Sequence, residues 1–329
     1  MAVSPLFSII IPTYNRARAV AAAVRSVLSQ TEGDFECFVM DDGSTDGTAA
    51  VLAGFTDPRL RVVLNAVNRG QHACRNDAIR AAKGEWICFL DSDDLFLPRR
   101  LAQLRNAIER EPRAGFWFTN AYIHRYGRLI GTLFDPRRSI PEGRVPGYYA
   151  VGDAFLPYVT TMVCVRRRAF EEIGLFREDL TILEDTELYA RMLKSGVYVG
   201  ALKEPLAVRF LHEGQITGDY ETTFKEALEA LRSAEAPAEI VEFVRKRVVR
   251  ESATYFLKSL QARKARELLR KEIGPGARGT ALYWETFIPA AALGLLKRLR
   301  ELYLSARYHP ALAPAELSEA ARAIEPFLR

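Results

Sequence analysis

The sequence holds no run of eighteen apolar residues, so nothing in it reads as a membrane-spanning helix. Its four cysteines, Cys37, Cys74, Cys88 and Cys164, form no CxxC pair. That argues against a disulfide framework and predicts buried, reduced thiols in a cytosolic protein. No basic segment precedes "FSIII", which is too short for a signal-peptide core, so no leader is expected. GxSxG, HExxH and a GKS or GKT phosphate loop are missing, which removes three common catalytic signatures. Internal repeats and low-complexity tracts are missing too. Charge of one sign is scarce: 46 Lys and Arg against 41 Asp and Glu leave a net of +5. That balance suits anionic phosphates or an anionic membrane surface as well as nucleic acid. The basic residues form no aromatic-interleaved patch, so nucleic acid is not expected as a partner.

What is present is ordinary globular composition, 49% hydrophobic and 26% charged over 329 residues. The first 120 residues alternate strand and helix. "FSIIIP" is a β-branched apolar run closed by Pro12, as a strand buried on both faces should be. "ARAVAAAVRSVLSQ" follows with helical spacing. "FECFVMDDGSTDGT" gives a second strand, with Ser44 or Thr45 expected to cap the next helix. "RLRVVLN" is a third strand, "NRGQHACRNDAIRAAKG" a third helix closed by Gly84, and "GEWICFL" a fourth strand. Such alternation predicts βαβ units and a mainly parallel sheet flanked by helices. Residues 121–215 are less regular: "YVTTMVCVRRRAFEEIG" reads as a strand turning into a helix, and "YVGALKEPLAVRFLH" as final strands. From 216 to 329 the pattern is helical throughout. The expected organisation is an α/β domain over 1–215, in two halves meeting near residue 120, with a helical extension.

The richest stretch is "GEWICFLDSDDLFLP", a buried strand that empties into Asp91, Ser92, Asp93 and Asp94. Three carboxylates within four residues cannot all be buried as anions without compensation. They are either solvated or they hold a divalent cation. Their place at the carboxyl end of an apolar strand favours the cation, since open α/β sheets bind ligands there. Mg²⁺ or Mn²⁺ would take carboxylate oxygens together with substrate phosphates and water.

Other stretches converge on the same sheet edge. "DDGSTDG" is either an acidic turn or a carboxylate able to accept from a nucleobase N–H. "PTYNR" puts Pro12, Thr13 and the aromatic ring of Tyr14 beside it, where the ring either stacks on a base or packs. "NRGQHACRND" places Arg69 and Arg75 near a helix N-terminus, a combination that favours a diphosphate. "GPGARG" (274–279) matches GxGxxG literally, but it follows a charged helix rather than a strand and reads as a linker. "YWETFIPAAALGLLKRLRELYL" is apolar, aromatic and then basic, the pattern of a packed helix or of one lying on an anionic membrane surface.

Taken in order, "FSIIIPTYNR", "VMDDGSTDGT", "NRGQHACRNDAIRAAKGEWICFLDSDD" and "LEDTELYARM" resemble an inverting family 2 glycosyltransferase of the GT-A fold over roughly the first 212 residues. The resemblance implies a GT-A, Rossmann-like α/β domain and a nucleotide-diphospho-sugar donor, a UDP-sugar above all. Asp42 matches the base-contacting aspartate and Tyr14 the aromatic against the uracil, with Pro12, Thr13, Arg69, Arg75, Asp91 and Ser92 around the nucleotide. Asp93 and Asp91 match the acids that hold Mn²⁺ or Mg²⁺, and His212 a late metal or phosphate contact. Asp185 matches the catalytic base, and Glu184 its neighbour. The implied acceptor is a glycan or lipid-linked hydroxyl in cell-surface polysaccharide synthesis. The enzyme would be cytoplasmic, with a peripheral membrane contact or a homo-oligomer built on its C-terminal helices.

Two other classes compete. A haloacid-dehalogenase-like phosphatase also carries a strand-end DxD, but it expects Thr or Val two residues after the second Asp, where this chain has Leu95. A sugar-nucleotide-binding module without catalysis would not need Asp185.

Overall fold

The structure, a computed structural model, describes residues 4–125, 127–151, 158–211, 220–287 and 314–328. Its centre is the strand β1, Phe7–Thr13, in which all seven residues are buried. Three consecutive isoleucines make this segment stiff and β-prone, and helices on both faces of a parallel sheet accept such a run. β1 pairs in parallel with β2 (Phe35–Asp41) on one side and β4 (Trp86–Phe89) on the other. β3 (Leu60–Leu64) pairs with β2 and forms an edge, which leaves Val62, Val63 and Leu64 exposed. Helices α1 (Ala17–Leu28), α2 (Thr48–Ala53) and α3 (Gln71–Ala81) connect these strands. All four strands therefore run the same way, and the loops after Thr13, Asp41 and Phe89 gather at one end.

The second half breaks the parallel order. After β5 (Leu95–Phe96), α4 (Arg100–Arg110), β6 (Ala114–Arg125), β7 (Arg128–Thr132) and β8 (Gly143–Arg144) comes β9 (Val163–Arg166). β9 runs antiparallel to both β4 and β6, so the sheet is mixed, in the order β3-β2-β1-β4-β9-β6-β10-β5. After α5 (Arg167–Ile173) and α6 (Glu184–Lys194), the expected final strands form one strand, β10 (Tyr198–Phe210). Its register against β6 slips on either side of Pro205, which lacks the N–H a regular ladder needs.

The helical region comprises α7 (Tyr220–Ser233), α8 (Ala238–Lys258), α9 (Ala262–Ile273), α10 (Ala281–Glu285) and a last helix, Pro314–Leu328. Ala227, Ala230 and Leu231 of α7 and Val244 and Val248 of α8 belong to the same buried cluster as β1 and α6. Val249, Leu257, Leu269 and Tyr283 form a smaller cluster of their own. The last helix sets Ile324 and Phe327 against Leu95 and Val208. "GPGARG" is a 3₁₀ turn between α9 and α10, as a linker reading requires. No described helix is long and apolar enough to cross a membrane.

Two local expectations need correction. Neither Ser44 nor Thr45 caps α2; Gly47 holds the N-cap position, and the Asp46 carboxylate accepts from the Thr48 N–H at 2.9 Å. Gly84 does not close α3, which ends at Ala81. Gly84 instead lets the chain press against β1: a Cβ there would lie 2.5 Å from the Ser8 N and Oγ, and its N–H donates to that Oγ at 2.9 Å. Gly84→Ala should therefore cost about 1–3 kcal/mol, the usual range for overpacking a rigid core. Urea unfolding measures it, and a loss within the scatter of a surface substitution would contradict the close approach.

Candidate active site

A cleft of about 400 Å³ opens where the strand-end loops meet α6. Its first wall is built by cross-tied loops. Asn15, after β1, adopts a left-handed conformation (φ 51°) that Asn tolerates. Its side-chain oxygen accepts from the Thr45 N–H at 2.8 Å, and its own N–H donates to Ser44 Oγ at 2.8 Å. Ser44 Oγ in turn donates to Asp41. The loops after β1 and β2 are thus locked together, with Tyr14 left 45% exposed at the cleft rim.

Asp42 is 3% exposed and accepts backbone N–H bonds from Arg69 (3.0 and 3.1 Å) and Gly70 (2.7 Å), plus one from Asn65 Nδ2 (3.3 Å). It pins the turn entering α3. Gly70 makes that turn at φ 91°, a conformation an L side chain rarely adopts. The Arg69 side chain consequently leaves the cleft and pairs with Asp77 on the outer face of α3.

The floor is a charge cluster around Arg75. This guanidinium is 2% exposed; its Nη1 donates to Glu184 Oε1 at 2.9 Å and its Nη2 to Asp91 Oδ1 at 2.8 Å. Gln71 supports it, accepting from Arg75 Nη2 at 3.2 Å and donating to Glu184 at 2.7 Å. Burial alone would lower the Arg75 pKa, but Asp91 and Glu184 outweigh it and raise the value. Asp91 is pushed above the usual carboxylate range, by burial first, with Arg75 opposing and the Asp93 and Asp185 charges adding. Burial followed by the Asp185 charge lifts Glu184 to about 7, against the pull of Arg75.

The three acids after β4 divide their roles. Asp94 turns inward to 2% exposure, accepting from Thr161 Oγ1 at 2.8 Å and from the Phe210 N–H at 2.9 Å. Burial, then the Asp91 and Asp93 charges, raise its pKa well above normal. All three border the cleft, Asp91 and Asp93 half-buried where Asp94 is buried. Among the described residues no three His, Cys, Asp or Glu side chains group into a metal cage. Two hard carboxylates at a strand end nonetheless fit a Mg²⁺ or Mn²⁺ ion that keeps water and phosphate oxygens in its shell.

The opposite wall is the first turn of α6. Asp185 Oδ2 accepts from Thr160 Oγ1 at 2.7 Å, and its Oδ1 from the Thr186 N–H at 2.6 Å. These bonds fix a carboxylate that still borders the cleft. Arg209, near the end of β10, lines the same space, and its charge opposes in small part the upward shifts of Asp91 and Asp94.

Pro12, Thr13, Tyr14, Asp42, Arg75, Asp91, Ser92, Asp93 and Asp185 therefore come together around one cleft. Arg69 does not, and Arg75 is held between two carboxylates rather than presented to a diphosphate. His212 lies outside the described residues. Sequence reasoning missed Gln71, Thr160 and Arg209; only Arg209 left a signal, a lone cation in the apolar run "LAVRF".

Because the folded chain holds the Glu184 proton up to about pH 7 while the unfolded chain releases it near 4.5, folding stability should fall as pH rises from 4.5 to 7. The loss assigned to this group is about 3 kcal/mol. Urea unfolding of wild type and Glu184→Gln across that range should show the falling limb only in wild type. Parallel curves would mean that Glu184 ionises as an ordinary carboxylate.

Sequence and structure comparisons identify the family and the fold. Residues 8–174, just over half of the chain, match the model of the family described as glycosyl transferase family 2. The glucosyltransferase WfgD of Escherichia coli, named for transfer from UDP-Glc to alpha-D-GlcNAc-diphosphoundecaprenol, is 32% identical over 133 residues. The match covers 40% of this chain and 52% of WfgD, about half its length. Succinoglycan biosynthesis protein ExoU of Rhizobium meliloti is 29% identical across 94% of this chain and 91% of its own. Among solved structures, S. aureus TarS 1–349 in complex with UDP-GlcNAc superposes with a TM-score of 0.58 at 18% identity. It covers 89% of this chain and 91% of that one. The mannosyltransferase PcManGT of Pyrobaculum calidifontis, in complex with GDP-Man and Mn²⁺, gives 0.53 at 21%, covering 99% and 86%. With a family match over residues 8–174, which hold β1 to β9 and the acids that close β2 and follow β4, and a fold shared with two sugar-nucleotide complexes, the chain belongs to glycosyl transferase family 2 and is a glycosyltransferase.

Proposed function

We propose that this enzyme transfers a sugar, with inversion, from a UDP-sugar to a hydroxyl of a glycan or lipid-linked acceptor in cell-surface polysaccharide synthesis. The observation that carries the reading is the hydrogen-bonded Asp185 carboxylate bordering the same cleft as Asp91 and Asp93. The donor class is supported by the UDP-sugars in the names of WfgD and the TarS complex, and the process by ExoU. Tyr14, exposed at the rim, is the stacking surface for the base.

Asp91 and Asp93 are the residues that would hold a divalent ion, Mn²⁺ or Mg²⁺. When bound, the ion stabilises the negative charge that gathers on the departing diphosphate. Arg75 keeps Asp91 oriented for that task, and Arg209 adds a cation to the same space. Asp185 accepts the proton of the acceptor hydroxyl as its oxygen attacks the anomeric carbon. The new C–O bond forms while the bond to the β-phosphate oxygen breaks on the opposite face, so configuration inverts and UDP leaves.

The acceptor side invites a peripheral membrane role on the cytoplasmic face. Trp284 and Phe287 are exposed by 60% and 48%, and Arg266 stacks over Phe287 at 3.8 Å. Aromatic rings with cationic neighbours suit an anionic bilayer surface. Trp284→Ser with Phe287→Ser should release the protein from anionic liposomes in a flotation assay while soluble turnover persists; equal flotation would remove this contact.

Asp185→Asn should lower transfer by about 10²–10⁴-fold, the range general-base removal gives. UDP binding, read by thermal shift with Mn²⁺, should persist in this variant and be lost in Asp93→Asn. Unchanged turnover in Asp185→Asn would remove Asp185 from the role of base. Stabilisation by GDP rather than UDP would reassign the donor.

A further inference from the structure

The turn just before Asp185 is held by a residue far from it in sequence. Leu183 occupies the N-cap position of α6, a side chain with no group to receive a hydrogen bond. The turn that leads into it, 181–183, is instead gripped from α7. Glu226 is 3% exposed and places one carboxylate oxygen on the Thr181 N–H (2.7 Å) and Thr181 Oγ1 (3.1 Å). Its other oxygen takes the Ile182 N–H (2.8 Å) and the Leu183 N–H (2.7 Å). Four donors thus converge on one buried carboxylate.

The position of this contact gives it meaning. Thr181 and Ile182 border the cleft, and Leu183 is followed directly by Glu184, the Arg75 partner, and by Asp185. Three successive backbone N–H groups held at 2.7–2.8 Å leave that turn little freedom to shift or rotate. A carboxylate is the group for the task, since it alone offers two oxygens able to accept four bonds at once. A second contact keeps the two helices in register: Ser233 Oγ, also on α7, donates to Glu187 Oε1 at 2.8 Å. Both acceptor and donor lie beyond residue 174, outside the segment that matches the family model.

We propose that Glu226 is a positioning residue, which sets the Asp185 carboxylate through the 181–183 turn and so makes α7 part of the catalytic apparatus. This inference rests on the reading of Asp185 as the base. Since misplacement by an ångström is costly to an oriented reaction, removing the grip should lower kcat and spare donor binding.

Steady-state kinetics on Glu226→Gln, Glu226→Ala, Asp185→Asn and the double variant Asp185→Asn with Glu226→Ala test it, with UDP affinity measured alongside. Glu226→Ala should reduce kcat at least tenfold, with the KM for the sugar nucleotide and the affinity for UDP within twofold of wild type. Glu226→Gln keeps one acceptor oxygen and should fall between. The double variant should be no slower than Asp185→Asn, because both changes act through one group. Additive losses, or a loss of UDP affinity that parallels the loss of kcat, would overturn the positioning role. If Glu226→Ala does not fold, the Gln variant carries the same comparison. The two readings fail differently: unchanged turnover in Asp185→Asn refutes the base, whereas a wild-type kcat in a folded Glu226→Ala refutes only the grip.

Discussion

A buried guanidinium organises this molecule. Arg75 is fully withdrawn from water, which is tolerable only because Asp91 and Glu184 take its hydrogens directly. The dependence runs the other way as well. Asp91, Glu184 and Asp185 come from two elements more than ninety residues apart, and the Asp185 charge raises the proton affinity of Asp91 and of Glu184. Without a cation between them, the loop after β4 and the first turn of α6 would repel. Arg75 lets the carboxylates converge while leaving the cleft electronegative, the condition a divalent ion requires.

Around that pair the protein uses buried carboxylates as structural pins. Asp42 holds the turn into α3, Asp94 ties the end of β10 to the loop after β4, and Glu226 grips the turn into α6. Each accepts backbone N–H groups that would otherwise be left without partners at loop positions. The half-buried acids of the cleft, Asp91, Asp93 and Asp185, thus sit on backbone close to these pins. Rigidity of this kind serves group transfer, where the oriented approach of acceptor and donor supplies much of the rate.

The helical region is continuous with this arrangement. Its first helix and the start of its second share a core with β1 and α6, and only from Val249 onward does a separate apolar cluster begin. A boundary drawn at residue 215 on the change from alternation to helix marks a change of secondary structure, not of packing. Periodicity reports which face of a helix is apolar and says nothing of which face it meets.

Much of the donor half was legible in the order of the residues. The buried strand Phe7–Thr13, the acids closing β2 and β4, and the acidic start of α6 all announce themselves, because strand periodicity and strand-end carboxylates are local properties. Their meeting at one sheet edge follows from parallel strands alone. Other features were decided only by the tertiary fold. Arg69 and Arg75 look alike in sequence, yet the left-handed turn at Gly70 sends one outward to Asp77, while burial makes the other a clamp. Asp94 is indistinguishable from its neighbours until Thr161 and Phe210 draw it inside. Thr160 and Glu226 carry no local sign of their roles, since each acts on residues 25 and more positions away. Sequence determined which chemical groups stand at the strand ends; which of them face the cleft, and in what charge state, depended on neighbours that only folding brings close.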